Sequence, residues 1–341
     1  MTKIKRSDWL DNLKGFLIIC VVVGHFIESG IDYNSGTSKA LFVFIYSFHM
    51  PLFIFVSGML CKHSLENKER LWEKIMTFLG LFVILKVLIY PFHRLNNPEL
   101  KFSLVTTDDV PWYLFAMCVF YIVAYALREM DKRKILVVAI GLALLAGYDN
   151  GIGDVFVLSR CIVFFPCFVL GWMCEPEKVE MLLHHRSMKI LSPVLLFTFF
   201  MICKYNIEDV YIFRRFFTGR SPYEALLNEQ EEIGIVFRIL AYMITFVVSV
   251  CVLSMIPRKS YFHFQIIGQK SLQIYFLHRP ILYTLEYLNA YSYLYHHFHG
   301  IANYVWLVIS VLFVIVLAHP VFSLPFITYQ SFIRKKCIKK I

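Results

Sequence analysis

Apolar residues occur along this chain in long runs that are separated by short polar stretches. An apolar helix of about 20 residues covers the hydrocarbon core of a bilayer, so runs of this length predict membrane-spanning helices. The pattern predicts about ten helices, at residues 14–31, 41–61, 75–92, 112–127, 135–148, 154–173, 188–204, 233–256, 265–288 and 303–327. The shortest run, 135–148, is also compatible with a half-span or an interfacial helix.

The composition agrees with a membrane protein. Of the 341 residues, 58% are hydrophobic and 17% are charged, and the mean hydropathy is +0.62. An ordinary soluble domain is about 45–50% apolar and about 25% charged, so a soluble globular protein is excluded. The loops between the runs are short and leave no room for a separate domain. We therefore expect an all-α integral membrane protein in which residues 1–341 form one domain.

The net charge of +10 also raises the question of a nucleic-acid partner. In a membrane protein, however, basic residues collect in the cytoplasmic loops. Here they concentrate at both chain ends, 3–6 and 334–340, and in the loops 62–74 and 128–134. The charge pattern predicts both termini in the cytoplasm, an even number of helices, the bilayer as a partner and no nucleic-acid partner.

Several ionisable side chains lie inside the predicted helices. Each costs roughly 2.5–3.5 kcal/mol on insertion scales, so such groups usually face a bundle interior or a water-filled cavity. In the predicted topology they share the outer half of the membrane, which favours a common polar chamber; the alternative is a set of bonds that hold helices together. These residues are His25, Glu28, His49, Lys86, Arg160, Arg238 and His278.

The first predicted helix carries a polar stripe. At 100° per residue, Asp11, Lys14, His25 and Glu28 fall within an arc of about 100°. His25 lies about 16 Å along the axis from Lys14, which places Lys14 at the cytoplasmic mouth and His25 just past the midplane. Glu28, one turn above, can bind the ring of His25 and raise its basicity, as suits a general base; a packing role for His25 is the alternative. We expect this helix to be retained, since no small-residue cleavage site follows it.

Five blocks of sequence occur in the order found in a known family. Together they resemble the acyltransferase 3 family of integral-membrane acyltransferases, and within it the fucose 4-O-acetylase-like branch. The blocks are DNLKGFLIICVVVGH (11–25), SFHMPLFIFVSGML (47–60), PWYLFAM (111–117), SRCIVFFPCFVLGW (159–172) and SLQIYFLHRP (271–280).

This resemblance implies about ten helices, acetyl-CoA or a related acyl-CoA as co-substrate, and transfer to a hydroxyl of a cell-surface or lipid-linked carbohydrate, with no bound cofactor. The family's essential histidine corresponds to His25, and its basic residue eleven positions earlier, often Arg, is Lys14. The Arg-x-x-Arg pair of some members is absent; Arg70 and Lys74 occupy that region at a different spacing, which leaves the donor-phosphate contacts open.

Acyl transfer to an alcohol needs a base for the hydroxyl proton and a positive group near the developing oxyanion. His25, assisted by Glu28, suits the first role. The candidates for binding the acyl-CoA or the oxyanion are Lys14, Arg70, Lys74, Arg160, Arg238, Ser271, Tyr275 and His278. The candidates on the acceptor side are His49, Lys86, Arg214 and Arg215. The last two lie in the longest loop, 205–232, which is either an acceptor-binding lid or a surface loop with an interfacial helix.

Several alternatives remain open at this point. Direct transfer is favoured over an acyl-enzyme formed through His25 or Ser57. The acyl group can be longer than acetyl, and the acceptor can be a peptidoglycan sugar or a small glycoside. A secondary transporter or a flippase for lipid-linked sugars also needs buried charges, although no internal repeat is evident. The histidines at 296–299 lack accompanying acidic or cysteine ligands, so no metal site is predicted.

Overall fold

The computed structural model describes residues 7–30, 36–106, 109–259 and 262–335. Within these ranges the regular secondary structure is helical, apart from one isolated antiparallel bridge between Thr106 and Val155. The basic residues at 3–6 and 336–340, which entered the prediction for the termini, lie outside the described ranges. The helices are α1 (Asp8–Ser29), α2 (Gly36–Tyr46), α3 (His49–Met59), α4 (Lys62–Leu65), α5 (Lys68–Asn96), α6 (Trp112–Ala126), α7 (Lys132–Leu145), α8 (Leu158–Met173), α9 (Pro176–Leu183), α10 (Arg186–Tyr205), α11 (Ile207–Val210), α12 (Phe213–Thr218), α13 (Tyr223–Leu227), α14 (Gly234–Met255), α15 (Phe262–Gln269), α16 (Ser271–Tyr287), α17 (Ala290–Phe298), α18 (Ala302–Leu317) and α19 (Leu324–Ile333).

Each of the ten predicted segments is occupied by one helix or by two consecutive helices, so the all-helical architecture is confirmed. Within the described ranges, six segments are long and apolar enough to cross a membrane: Asp8–Ser29, Gly36–Met59, Lys68–Asn96, Arg186–Tyr205, Gln230–Met255 and Ala290–Leu317. A seventh candidate consists of α8 and α9, which meet at a bend of 90°. Helix α7, in the segment predicted at 135–148, has 14 residues and spans about 21 Å at 1.5 Å per residue. The count of ten spans stays a prediction.

Helix α1 lies at the centre of the bundle, with 72% of its most apolar window buried. It packs against α2, α3, α15, α16 and α18. Its first turns are anchored by Asn12, whose Nδ2 donates to the carbonyl oxygens of Pro257 at 3.0 Å and Lys259 at 2.8 Å. The opposite end of α1 carries His25 and Glu28. The helix that bears the polar stripe is therefore packed against other helices along its length.

Helices α3 and α8 cross at two glycines. A Cβ atom on Gly58 would overlap the backbone carbonyl of Phe168, and one on Gly171 would overlap that of Phe55. Small residues at such a crossing allow two helix backbones to approach closely, which increases their van der Waals contact. This contact fixes α8 against α3, and each of these helices carries one of the predicted polar residues.

The second candidate span is interrupted between α2 and α3, at Ser47 and Phe48. The hydroxyl of Thr245 donates to the carbonyl oxygen of Ser47 at 2.7 Å, and Nδ1 of His49 donates to that of Ile45 at 2.8 Å. An interrupted helix at membrane depth needs such partners for its released carbonyl groups. The interruption is thus satisfied within the bundle and places His49 at the start of α3.

The segment predicted as the longest loop forms three short helices, α11 to α13, between α10 and α14. The side chains of Phe216 and Phe217 on α12 are buried. Arg238 on α14, which is 1% exposed, donates from Nη1 to the carbonyl oxygen of Phe216 at 2.7 Å. Gly219 ends α12 with a φ of 62°, a conformation that glycine adopts without steric cost. Helix α12 is therefore fixed to the bundle.

Candidate active site

A cavity of about 410 Å³, here called the His25 cavity, opens at the C-terminal end of α1. Its walls come from α1, α2, α3, α5, α6, α8, α12 and α16, together with the segments that precede α6 and follow α12. The polar residues that line it come from parts of the chain that are far apart in sequence. Its charged and histidine side chains are His25, Glu28, His49, His93, Asp109, Arg160, Arg214, Arg215, Arg220 and Arg279.

His25 and Glu28 form a contact across one turn of α1. Nδ1 of His25 lies 3.2 Å from Oε2 of Glu28, and the Tyr46 hydroxyl donates to the same oxygen at 3.3 Å. A carboxylate only accepts hydrogen bonds, so in the neutral ring Nδ1 of His25 donates to Glu28 and Nε2 keeps a lone pair. The side chains of His25 and Glu28 are 19% and 45% exposed to the cavity. This is the arrangement that a general base requires.

His278 on α16 packs beside His25, with 5.4 Å between the ring centroids. It is 1% exposed, and its Nδ1 donates to the carbonyl oxygen of Ile274 at 3.1 Å. Its buried Nε2 has no hydrogen-bond partner among the described residues. In the neutral ring this nitrogen accepts and does not donate. His278 thus adds a second unprotonated ring nitrogen next to His25.

Asp109 connects the segment before α6 to α16. Nε of Arg279 lies 3.1 Å from Oδ1 of Asp109, and the Tyr283 hydroxyl donates to Oδ2 at 2.7 Å. The Tyr275 hydroxyl donates to the carbonyl oxygen of Val110. Burial alone would raise the pKa of Asp109, but the guanidinium of Arg279 and hydrogen bonds from Tyr283 and the Val110 N–H lower it to about 2. Three side chains on one face of α16 therefore hold this wall of the cavity.

Arg160 lies in the first turn of α8, and its guanidinium is 5.0 Å from the ring centroid of Trp112. Its Nη2 is 3.9 Å from Oδ1 of Asp154, and Nε of Arg220 is 2.6 Å from the other oxygen of that carboxylate. The turn before α8 contains two residues with positive φ, Phe156 at 50° and Val157 at 56°. Non-glycine residues rarely adopt this conformation. The strained turn and the shared carboxylate together position Arg160.

A second cavity of about 250 Å³, the Lys14 cavity, lies further towards the N-terminal end of α1. Lys14, Lys74 and Ser271 line it, together with Ser57 and Tyr113. Nζ of Lys14 is 2.8 Å from Oδ1 of Asp11, and the hydroxyl oxygens of Ser57 and Tyr113 are 2.9 Å apart. This cavity therefore combines two ammonium groups with neutral hydroxyl groups.

The two cavities meet at Val21, Met50 and Tyr275, each of which lines both of them. Val21 lies one helical turn before His25 on the same face of α1. The Lys14 cavity therefore lies directly beside the His25 cavity.

A third cavity of about 340 Å³, the Lys86 cavity, shares His93, Asp109 and Arg220 with the His25 cavity. Lys86 lines it and donates from Nζ to the carbonyl oxygen of Thr106 at 2.7 Å. Lys101 also lies on its wall. It extends the polar surface away from His25.

The structure brings together many of the residues singled out from the sequence, but not all of them. His25, Glu28, His49, Arg160, Arg214, Arg215 and Tyr275 line the His25 cavity, and Lys14, Lys74, Ser271 and again Tyr275 line the Lys14 cavity. Lys86 lines the adjoining Lys86 cavity instead. Arg70 is exposed on α5 and is not among the residues that line these cavities, and Arg238 is buried against α12.

Asp109, Arg279 and Tyr283 also belong to the site, although they were not predicted from the sequence. Arg279 follows His278 directly, inside a block that carries the family resemblance, so that block held a signal for it. Asp109 precedes another block, but its pairing with Arg279 spans 170 positions and has no local pattern. Among the described residues, no group of three or more His, Cys, Asp or Glu side chains is placed to hold a metal ion.

Residues 7–320 match a family model described as an acyltransferase domain. The chain is also similar to two proteins named nodulation protein NolL. That of Mesorhizobium japonicum is 24% identical over 213 residues, covering 49% of this chain and 57% of the relative. That of Sinorhizobium fredii is 25% identical over 206 residues, covering 55% and 54%. The chain thus spans about half the length of the curated relatives it matches, and no solved structure matches it.

Proposed function

Since the chain belongs to the acyltransferase 3 family, we propose that it is a membrane O-acyltransferase that moves an acetyl or other short acyl group from acyl-CoA to a carbohydrate hydroxyl. The single observation that carries this proposal is the contact between His25 and Glu28 inside a polar cavity. A hydroxyl group is a poor nucleophile at neutral pH and needs such a base.

The donor is assigned to the Lys14 cavity. The phosphates of CoA require cationic partners, and Lys14 and Lys74 line this cavity. Arg70, one turn before Lys74 on α5, is assigned to the same phosphates. The pantetheine arm then passes Val21 and Met50 towards His25. CoA is cytoplasmic, so this assignment places the N-terminal end of α1 on the cytoplasmic side, as the charge pattern predicts.

The same orientation completes the membrane topology of the proposal. All ten predicted segments cross or enter the cytoplasmic membrane, and both termini lie in the cytoplasm. The short helices α6 and α7 then lie against their longer neighbours α5 and α8. The His25 cavity opens towards the outer side, where a cell-surface or lipid-linked carbohydrate supplies the hydroxyl.

The chemical step is a direct transfer between the two bound substrates. Nε2 of His25 takes the proton of the acceptor hydroxyl, whose oxygen forms a bond to the thioester carbonyl carbon. Glu28 stabilises the imidazolium that results. The tetrahedral intermediate then collapses with cleavage of the carbon–sulfur bond, and His25 returns the proton to the departing CoA thiolate. The products are an O-acyl ester and free CoA.

The oxyanion of this intermediate needs positive charge or hydrogen-bond donors. Arg160 lines the His25 cavity and carries a permanent charge, so it is assigned this role together with Arg279. Neutral His278 presents only a lone pair at Nε2 and therefore does not stabilise an oxyanion. We assign it to the positioning of His25. His49 and Lys86 remain on the acceptor side of the proposal.

The test is the formation of base-labile acetyl esters on the glycan fraction of cells that express the intact chain, His25→Ala or His63→Ala. His63 is an exposed histidine on α4, outside these cavities, and serves as the matched control. Ester formation with the intact chain and with His63→Ala, but not with His25→Ala, is the expected result. Equal ester formation in all three would refute the role of His25.

A second measurement separates this function from transport. Purified protein is given acetyl-CoA and a glycan extract, and the release of free CoA is followed. CoA release that depends on His25 supports acyl transfer. Uptake of a labelled sugar into vesicles with no release of CoA would support the transporter alternative instead.

A further inference from the structure

The arginines of the His25 cavity are unequally paired with acidic groups. Five arginines line the cavity: Arg160, Arg214, Arg215, Arg220 and Arg279. Asp154 lies within 4 Å of two of them, Arg160 and Arg220. Arg279 lies between Asp109, at 3.1 Å, and Glu286, at 3.9 Å. The other two arginines of the cavity are Arg214 and Arg215.

Neither of these two arginines forms an ion pair with a carboxylate in the part of the chain that the structure describes. The guanidinium of Arg214 lies over the ring of Tyr211, 4.5 Å from its centroid. Nη1 of Arg215 donates to the carbonyl oxygen of Ala225 at 3.2 Å. A guanidinium has five N–H donors, so both side chains keep donors that can bind a further group.

Both arginines are carried by a helix that is already fixed in place. Arg238 binds the end of α12, and two phenylalanines bury its inner face. An anion that binds here does not have to order a mobile loop first, which would reduce its affinity. The adjoining Lys86 cavity adds Lys86 and Lys101, so the positive field extends beyond α12.

The position of α12 along the membrane normal is also informative. Along the chain, α12 lies between α10 and α14, and each of these two helices belongs to a candidate span. A segment that connects two spans lies at a membrane surface, at the depth of lipid headgroups. The same helix lines the cavity that contains His25. The anion site and the base are therefore within reach of one ligand.

We propose that Arg214 and Arg215 bind a phosphate group of the acceptor, so that the substrate of this enzyme is a phosphate-bearing sugar. Planar guanidinium groups match the geometry of phosphate oxygens and bind them with paired, charge-assisted hydrogen bonds. The sugar hydroxyl then lies at His25. A neutral polysaccharide would leave the two charges without a partner. The identification of this ligand as the acceptor rests on the proposed acyltransferase function.

This site is distinct from the one assigned to CoA, which also carries phosphates. The CoA phosphates are placed in the Lys14 cavity, on the other side of Val21, Met50 and Tyr275. Binding of an adenosine bisphosphate, which carries the phosphates of the CoA nucleotide, therefore depends on Lys14 and Lys74. It is independent of α12.

The experiment measures binding, so it does not depend on turnover. The full chain is placed in nanodiscs of zwitterionic lipid, and its affinity is measured for glucose 1-phosphate, farnesyl phosphate, glucuronate and methyl glucoside. The variants are Arg214→Gln with Arg215→Gln, the charge-preserving Arg214→Lys with Arg215→Lys, and the control Lys204→Gln. Lys204 is an exposed cation at the end of α10 that lines none of these cavities.

The expected result is a loss of affinity for both phosphates of roughly 10- to 100-fold in the double Gln variant. The Lys variant is expected to keep part of this affinity, and Lys204→Gln all of it. Tighter binding of farnesyl phosphate identifies a lipid-linked acceptor, and tighter binding of glucose 1-phosphate a soluble one. Both outcomes support the proposal.

Three results would overturn it. One is equal binding of phosphate probes to the intact chain and the double Gln variant. Another is tighter binding of glucuronate or methyl glucoside than of either phosphate. The third is displacement of glucose 1-phosphate by adenosine bisphosphate at α12, which would make this the CoA site. Phosphate binding without any acyl transfer by the intact chain would instead refute the proposed function and leave the anion site in place.

Discussion

Replacement of Glu28 by Gln tests how the proposed base is supported. The substitution preserves the size of the side chain and removes its charge. Oε2 of Glu28 accepts from Nδ1 of His25 at 3.2 Å and from the Tyr46 hydroxyl at 3.3 Å. The amide oxygen of the substituted side chain would still accept one of these bonds, but it would no longer stabilise the imidazolium of His25 by charge.

The expected loss follows from the exposure of this contact. A hydrogen bond to a charged group contributes about 1.5–3 kcal/mol when it is well protected, whereas an ion pair in solvent contributes about 0.2–1 kcal/mol. The Glu28 side chain is 45% exposed, so we use about 1 kcal/mol, close to the upper end of the solvent range. At 1.36 kcal/mol for each factor of ten, kcat falls about fivefold. Loss of the base itself, in His25→Ala, is expected to lower kcat by about 10²- to 10⁴-fold.

The assay is CoA release from acetyl-CoA by purified protein with a saturating acceptor extract. KM for acetyl-CoA should not change in Glu28→Gln, because Glu28 acts on the charge that develops in the transition state. In a His25→Ala background the same substitution should have no further effect, since its partner is absent. A loss as large as that in His25→Ala, or a further loss in that background, would refute this reasoning and give Glu28 a direct role.

Three other predictions use different parts of the structure. Lys14→Glu should raise KM for acetyl-CoA by roughly tenfold with little change in kcat, and an unchanged KM would place the CoA phosphates elsewhere. Gly171→Ala should destabilise the protein by about 1–3 kcal/mol in thermal unfolding, because its Cβ would overlap the facing helix; Gly141→Ala, which has open space, should not, and equal stability of the two variants would contradict the tight crossing. Asp109 has a pKa lowered to about 2, so its ion pair stabilises the fold fully above its unfolded pKa of about 4 and is lost as pH falls towards 2. The stability difference between the intact chain and Asp109→Asn should shrink across that range, and a constant difference would argue against the ion pair.

The helices were predictable from the sequence because each is an apolar run that a bilayer accommodates whether or not the bundle buries it; only 11% of the apolar window of α10 is buried. The polar stripe of α1 was predictable because Lys14, His25 and Glu28 share one helix, and their spacing fixes their relative positions. The interruption between α2 and α3 was not, because it depends on Thr245, which is distant in sequence. Short-range geometry is encoded locally, whereas the partners of an interrupted helix are not.

The composition of the site was predictable only in part. Buried charges in apolar runs, such as Arg160, can be recognised in the sequence because a charged side chain inside a membrane is energetically costly. Arg238 carries the same signal, yet it binds the carbonyl group of Phe216 and stabilises α12. The sequence does not distinguish these two outcomes, because both satisfy a buried guanidinium. Asp109 lies in a polar connecting segment, where a carboxylate has no such cost and gives no signal.

The meeting of two cavities at Val21, Met50 and Tyr275 has an electrical consequence in the proposed orientation. Water that enters both cavities carries the potential of each compartment deep into the protein. The membrane voltage then falls across a layer only a few side chains thick, and the local field there is several times that across an intact bilayer. A charge that crosses the full potential exchanges about 2.3 kcal/mol per 100 mV. The movement of the proton that His25 carries across this layer would therefore make the acylation rate sensitive to membrane voltage.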